Sequence, residues 1–100
     1  MPRFVVERPL PNIGDAGREE QLSMVKVSNE IIEKLGADRF RWVESIITPD
    51  KAYCFYDAPD AEMVQEFSRI GGFPYDKITE VRYVLDPANL SKSDDRDDNH

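Results

Sequence analysis

The sequence predicts one α+β domain with the order β-α-β-β-α-β. Two stretches keep the apolar spacing of an amphipathic helix, several short stretches are dense in β-branched and aromatic residues, and Pro, Gly and Asp clusters separate them. A chain of 100 residues is the size of a single ordinary domain and can bury a core without disulfide or metal. The domain is expected over residues 1–90, followed by a disordered acidic tail over 91–100, where Lys92 and Arg96 face Asp94, Asp95, Asp97 and Asp98.

Phe4-Val5-Val6 forms a first strand that ends at Pro9 and Pro11, whose missing amides stop ladder pairing. Asn12 to Gly17 has loop composition, and Glu19-Glu20 supplies the negative charge that a helix start favours. From Leu22 to Leu35, steps of about 100° per residue put Met24, Val25, Val27, Ile31, Ile32 and Leu35 on one stripe, closed by Gly36. Ser28 falls inside that stripe and is expected to bond back to the Met24 carbonyl. Arg39–Thr48 and Lys51–Tyr56 read as two strands joined by a Pro49-Asp50 turn. Asp60 caps a second helix in which Met63, Val64, Phe67 and Ile70 share a face, Gly71-Gly72 ends it, and Ile78–Leu85 alternates as a fourth strand. The arrangement is the ferredoxin-like split βαβ, with parallel central strands joined by right-handed crossovers, both helices on one face, and an antiparallel four-stranded sheet in the order 4-1-3-2.

The net charge of −7 disfavours phosphate backbones and anionic bilayers, so neither nucleic acid nor a membrane is expected as a partner. Cys54 is the single cysteine, the N-terminal residues are too short and too charged for a signal peptide, and no apolar run reaches the roughly 20 residues of a membrane span. The expected compartment is the cytoplasm.

With both helices on one face, the opposite face should be polar at alternate positions if it met water. Strict alternation instead places Phe40, Trp42 and Ile46 against Val43 and Ile47, Cys54 and Tyr56 against Tyr53 and Phe55, and Val81, Tyr83 and Leu85 against Ile78 and Val84. Both faces are apolar, and a homodimer through the open face follows as the expected partnership, with a cavity enclosed between the two sheets. The competing reading is that these aromatics line a ligand pocket in a monomer.

Glu7, Glu44 and Glu80 lie one each on three strands beside Arg8, Arg41 and Arg82, so ion pairing or burial should perturb them. A desolvated Glu7 or Glu80 is the candidate proton shuttle of an enzyme; a carboxylate held by arginine is structural. Cys54 in an apolar strand reads as a small core hydrophobe. His100 is the single histidine and lies in the tail, so no histidine triad or zinc cluster assembles within one chain, and no glycine motif supports nucleotide binding. No metal ligands and no cofactor are assigned.

Phe4-Val5-Val6-Glu7-Arg8, Trp42 with Ser45, Asp50-Lys51-Ala52-Tyr53-Cys54-Phe55-Tyr56-Asp57-Ala58-Pro59, Gly72-Phe73-Pro74 and Ile78-Thr79-Glu80-Val81 together resemble a bacterial family of small ferredoxin-like proteins of undefined function, some of which bind nickel. The resemblance implies a dimeric α/β barrel. It does not carry over a nickel site: the nickel-binding relatives use histidines where this chain has Arg8 and the Ser68–Gly71 stretch, and a guanidinium cannot ligate a metal. The sequence therefore points first to a non-enzymatic binding protein whose intersheet cavity draws on Glu7, Arg8, Trp42, Glu44, Tyr53, Cys54, Tyr56 and Glu80. A cofactor-free isomerase or monooxygenase using Glu7 or Glu80, and a structural or regulatory interaction domain, are the alternatives.

Overall fold

A computed structural model describes residues 1–89; the tail expected over 91–100 lies outside the described residues. The chain runs β1 (Arg3–Pro9), a 3-10 turn (Ile13–Asp15), α1 (Arg18–Leu35), β2 (Arg41–Ile47), β3 (Lys51–Asp57), α2 (Ala61–Gly71), β4 (Lys77–Glu80) and a final 3-10 turn at Pro87–Asn89. The sheet order β2-β3-β1-β4 is the order the sequence predicts, with every neighbouring pair antiparallel. One detail differs: the central strands β1 and β3 are themselves antiparallel, and the parallel pairs joined by the helices are β1 with β2 and β3 with β4, each separated by one strand.

β1 and β3 alternate strictly. Phe4, Val6 and Arg8 share the helix face with Ala52, Cys54 and Tyr56, leaving Val5, Glu7, Tyr53 and Phe55 on the other. α2 is fixed at its start by the Asp60 carboxylate, which accepts from the Met63 N–H at 2.9 Å. It drops Val64 and Phe67 onto the sheet, both fully buried. Phe67 stacks on Phe40 at 4.8 Å between ring centroids, and both rings lie 5.2 Å from Tyr56, an aromatic centre on which the core is built.

Two expectations fail for identifiable reasons. β4 ends at Glu80 and not at Leu85, because its partner runs out: Phe4 pairs with Glu80, the Val81 N–H donates to the Arg3 carbonyl at 2.7 Å, and Arg3 is the first residue of β1. Tyr83, Val84 and Leu85 are exposed beyond that point. In β2 a bulge at Val43 lies between the pairs Trp42–Tyr56 and Glu44–Phe55, so alternation resets. Trp42, Ser45 and Ile47 consequently face the helices, and Glu44 and Ile46 face away; the placement of Trp42 beside Ile46 is corrected. The Trp42 indole N–H donates to Ser45 Oγ at 2.9 Å, a contact that residues three apart in an unbulged strand cannot make because they point to opposite faces. Among the described residues no helix is long and apolar enough to cross a membrane.

Truncating the ring at the centre of this core tests the assignment. Phe67→Ala should cost about 3–5 kcal/mol in urea unfolding, whereas Leu85→Ala, at an exposed position, should stay within about 0.5 kcal/mol.

Candidate functional site

α1 meets the sheet unevenly. Its buried residues are Ser28, Ile31 and Ile32, all in its second half, while Leu22 and Val25 in the first half are about half exposed. The first half therefore stands clear of β2 and β3, and the space beneath it is a cavity of about 660 Å³. Met24, Ser28, Trp42, Cys54, Tyr56 and Phe73 are among its walls, with Arg8 at the end of β1. The volume falls within the usual range of small-molecule sites, and the lining has their usual chemistry, apolar with a few polar groups.

The mouth is shaped by a loop-to-loop contact. The Asn12 N–H donates to the Asp50 carboxylate, the Leu10 N–H to the Asp50 carbonyl, and the Gly14 N–H to the Pro49 carbonyl, binding the 3-10 turn to the β2–β3 hairpin. Gly14 is required there: a Cβ would stand 2.8 Å from the Pro49 Cα.

Arg8 organises the inner end. Its side chain is buried and takes only neutral partners. Nη1 donates to the Phe73 and Pro74 carbonyls (3.4 and 3.2 Å), and Nη2 donates to the Tyr56 hydroxyl and to Ser68 Oγ (both 3.1 Å). The Tyr56 and Phe73 rings flank it at 5.7 and 5.5 Å. Ser68 in turn donates to the Val64 carbonyl at 2.9 Å, so strand, helix and return loop meet on one guanidinium. Burial pushes the Tyr56 phenol above its ordinary range, and Cys54 adds to the shift while Arg8 opposes it; the group stays neutral near pH 7.

Of the residues singled out from sequence, Arg8, Trp42, Cys54 and Tyr56 come together in this cavity. Glu7, Glu44 and Tyr53 lie on the opposite face, Glu7 paired with Tyr53 across β1 and β3, and Glu80 is exposed on the edge strand. Neither Glu7 nor Glu80 lines this cavity. The expected Glu–Arg pairs are replaced by others: Asp57 accepts from Arg3 Nε at 2.7 Å and Nη2 at 3.1 Å, with Arg41 at 3.5 Å. Ser28 is also corrected. Its hydroxyl makes no bond to the Met24 carbonyl or to any other described residue, and it lines the cavity. Sequence reading missed Met24, Ser45 and Phe73 as wall residues; the bulge hid Ser45, and only the lift of α1 makes Met24 a wall.

A family model described as nickel responsive protein SCO4226-like matches residues 4–81. The chain belongs to the SCO4226-like family. The crystal structure of SCO4226 from Streptomyces coelicolor A3(2) superposes with a TM-score of 0.68 at 17% sequence identity, over 83% of this chain and 99% of that one, and supports the shared fold. No curated protein matches.

The family description raises the question of nickel, and the donors present do not fit it. Among the described residues no three His, Cys, Asp or Glu side chains group closely enough to hold a metal ion, and His100 lies outside them. The cavity of this SCO4226-like chain offers one thiol, Cys54, and one carboxylate, Asp15 at its rim, where nickel favours several imidazoles or thiolates.

Two measurements follow. Hydrogen bonding from Arg3 holds the Asp57 carboxyl below its usual range, so this contribution to stability is present above about pH 4 and is lost as pH falls through the lowered value. Asp57→Asn should lower the melting temperature at pH 7 and leave a shallower acid limb in a pH series of thermal melts. At Gly71 a Cβ would run into the Phe73 ring, so Gly71→Ala should displace that ring and perturb Trp42 fluorescence as well as stability.

Proposed function

We propose that this protein binds a small molecule in the cavity between α1 and the sheet. The observation that carries the reading is the cavity itself: about 660 Å³, apolar in the main, within one chain, and walled by an indole, a phenol and a buried guanidinium. Nickel responsiveness, the property named for the family, is not assigned to the cavity, because its donor set is wrong for the ion. The site sits on the helix side and not between two sheets, so binding does not wait on a second chain.

Trp42 is the single tryptophan and lines the cavity, so it reports occupancy directly. A thermal-shift screen of small aromatic and aliphatic compounds should yield ligands that raise the melting temperature and change Trp42 emission. Hits that leave Trp42 unaffected, or a screen without hits, would remove the support for this reading.

A second copy of the chain is the proposed occupant of the other sheet face. Val5, Phe55, Tyr53 and Ile46 form an apolar strip there, Ile46 is about half exposed, and neither helix covers it. Four strands of about five residues give roughly 320 Å² in projection, less than the roughly 800 Å² per partner of a standard interface, so the exposed Tyr83 to Leu85 segment would have to add contact area. Light scattering should give twice the chain mass for the wild type and a monomer for Phe55→Glu, with unchanged circular dichroism.

A further inference from the structure

Arg8 leaves part of its chemistry unused. A guanidinium carries five N–H donors and a permanent positive charge. Here four hydrogen bonds from Nη1 and Nη2 go to two carbonyls and two hydroxyls, Nε donates to no described residue, and no described carboxylate pairs with the side chain. At 3% exposure, water does little to offset the charge. A second, independent group in the same cavity is also unclaimed: the Ser28 hydroxyl, on a residue 7% exposed, has no hydrogen-bond partner among the described residues. A buried cation with no anionic partner and a buried hydroxyl with no partner among the described residues, set in walls of Trp42, Met24 and Phe73, call for an anion attached to an apolar body. The one acidic residue in the lining, Asp15, is exposed at the rim and does not neutralise Arg8.

Resting on the binding reading above, we infer that the cavity's ligand is a small amphipathic carboxylate. Its carboxylate accepts from Arg8 and from the Ser28 hydroxyl, and its aromatic or aliphatic body lies against Trp42 and Met24. Charge-assisted hydrogen bonds in a desolvated site are the strong ones, so charge should decide affinity between molecules of equal shape.

Matched pairs test this: 3-phenylpropanoate against 3-phenylpropanamide, and octanoate against octanamide, titrated into the full chain by calorimetry and Trp42 fluorescence. Each acid should bind about tenfold or more tightly than its amide. Arg8→Met should bring the ratio close to one, Arg8→Lys should keep most of it, and Ser28→Ala should weaken the acids several-fold. Should Arg8→Met fail to fold, the wild-type ratio and the Arg8→Lys and Ser28→Ala variants decide. Equal binding of acid and amide to the wild type would overturn the carboxylate inference while leaving the binding site standing. So would inorganic phosphate competing as well as the acids, since the apolar body would then add nothing. If neither member of either pair binds, the small-molecule reading itself falls.

Discussion

The buried guanidinium of Arg8 is the constraint around which the inner end of this molecule is arranged. A charge out of water is tolerated only when its surroundings replace the water, and here they do so from three elements at once: the Tyr56 hydroxyl of β3, Ser68 of α2, and the carbonyls of Phe73 and Pro74 in the return loop. Each of those groups is held by something else. Tyr56 is packed between Phe40 and Phe67, Ser68 is tied to its own helix through the Val64 carbonyl, and Phe73 lies against Phe67 and over Gly71. The position of the return loop, and with it one wall of the cavity, is thereby coupled to the packing of the core.

Much of this architecture is legible in the sequence. The order of elements and the sheet order follow from local period, because helices and strands each carry their own spacing of apolar residues and the Pro, Gly and Asp residues mark the joints. The capping role of Asp60 and the burial of Cys54 follow as directly. What escapes is set by long-range geometry. Ile78 to Leu85 alternates as a strand should, yet only Ile78 to Glu80 belong to β4, because β1 begins at Arg3 and its ladder with β4 stops there. A local pattern cannot report the length of a neighbour that lies far away in the chain.

The site was harder to read for a related reason. Arg8, Trp42, Cys54 and Tyr56 were recognisable as unusual residues, but the space they share exists because α1 packs tightly at Ile31 and Ile32 and lifts away toward Leu22. An amphipathic stripe is the same in sequence whether its helix lies flat or tilts. Ser28 shows the ambiguity in one side chain: a serine within such a stripe reads as satisfied by its own backbone, and only the absence of that bond reveals a group facing a cavity.

The bulge at Val43 bears on how the two sides of the sheet can change. Because one extra residue offsets the phase of β2, Trp42, Ser45 and Ile47 belong to the cavity side while Glu44 and Ile46, interleaved between them, belong to the other. Substitution can therefore remodel either surface separately, one residue at a time. Deletion of Val43 itself would disturb neither set: Trp42 and Glu44 already pair with the adjacent residues Tyr56 and Phe55, so the strand would close to plain alternation with every other side chain on its present face. The strand can therefore lose one residue at this point without exchanging its faces, and a relative with a gap here would keep the same β2 side chains against the cavity on an unbulged strand.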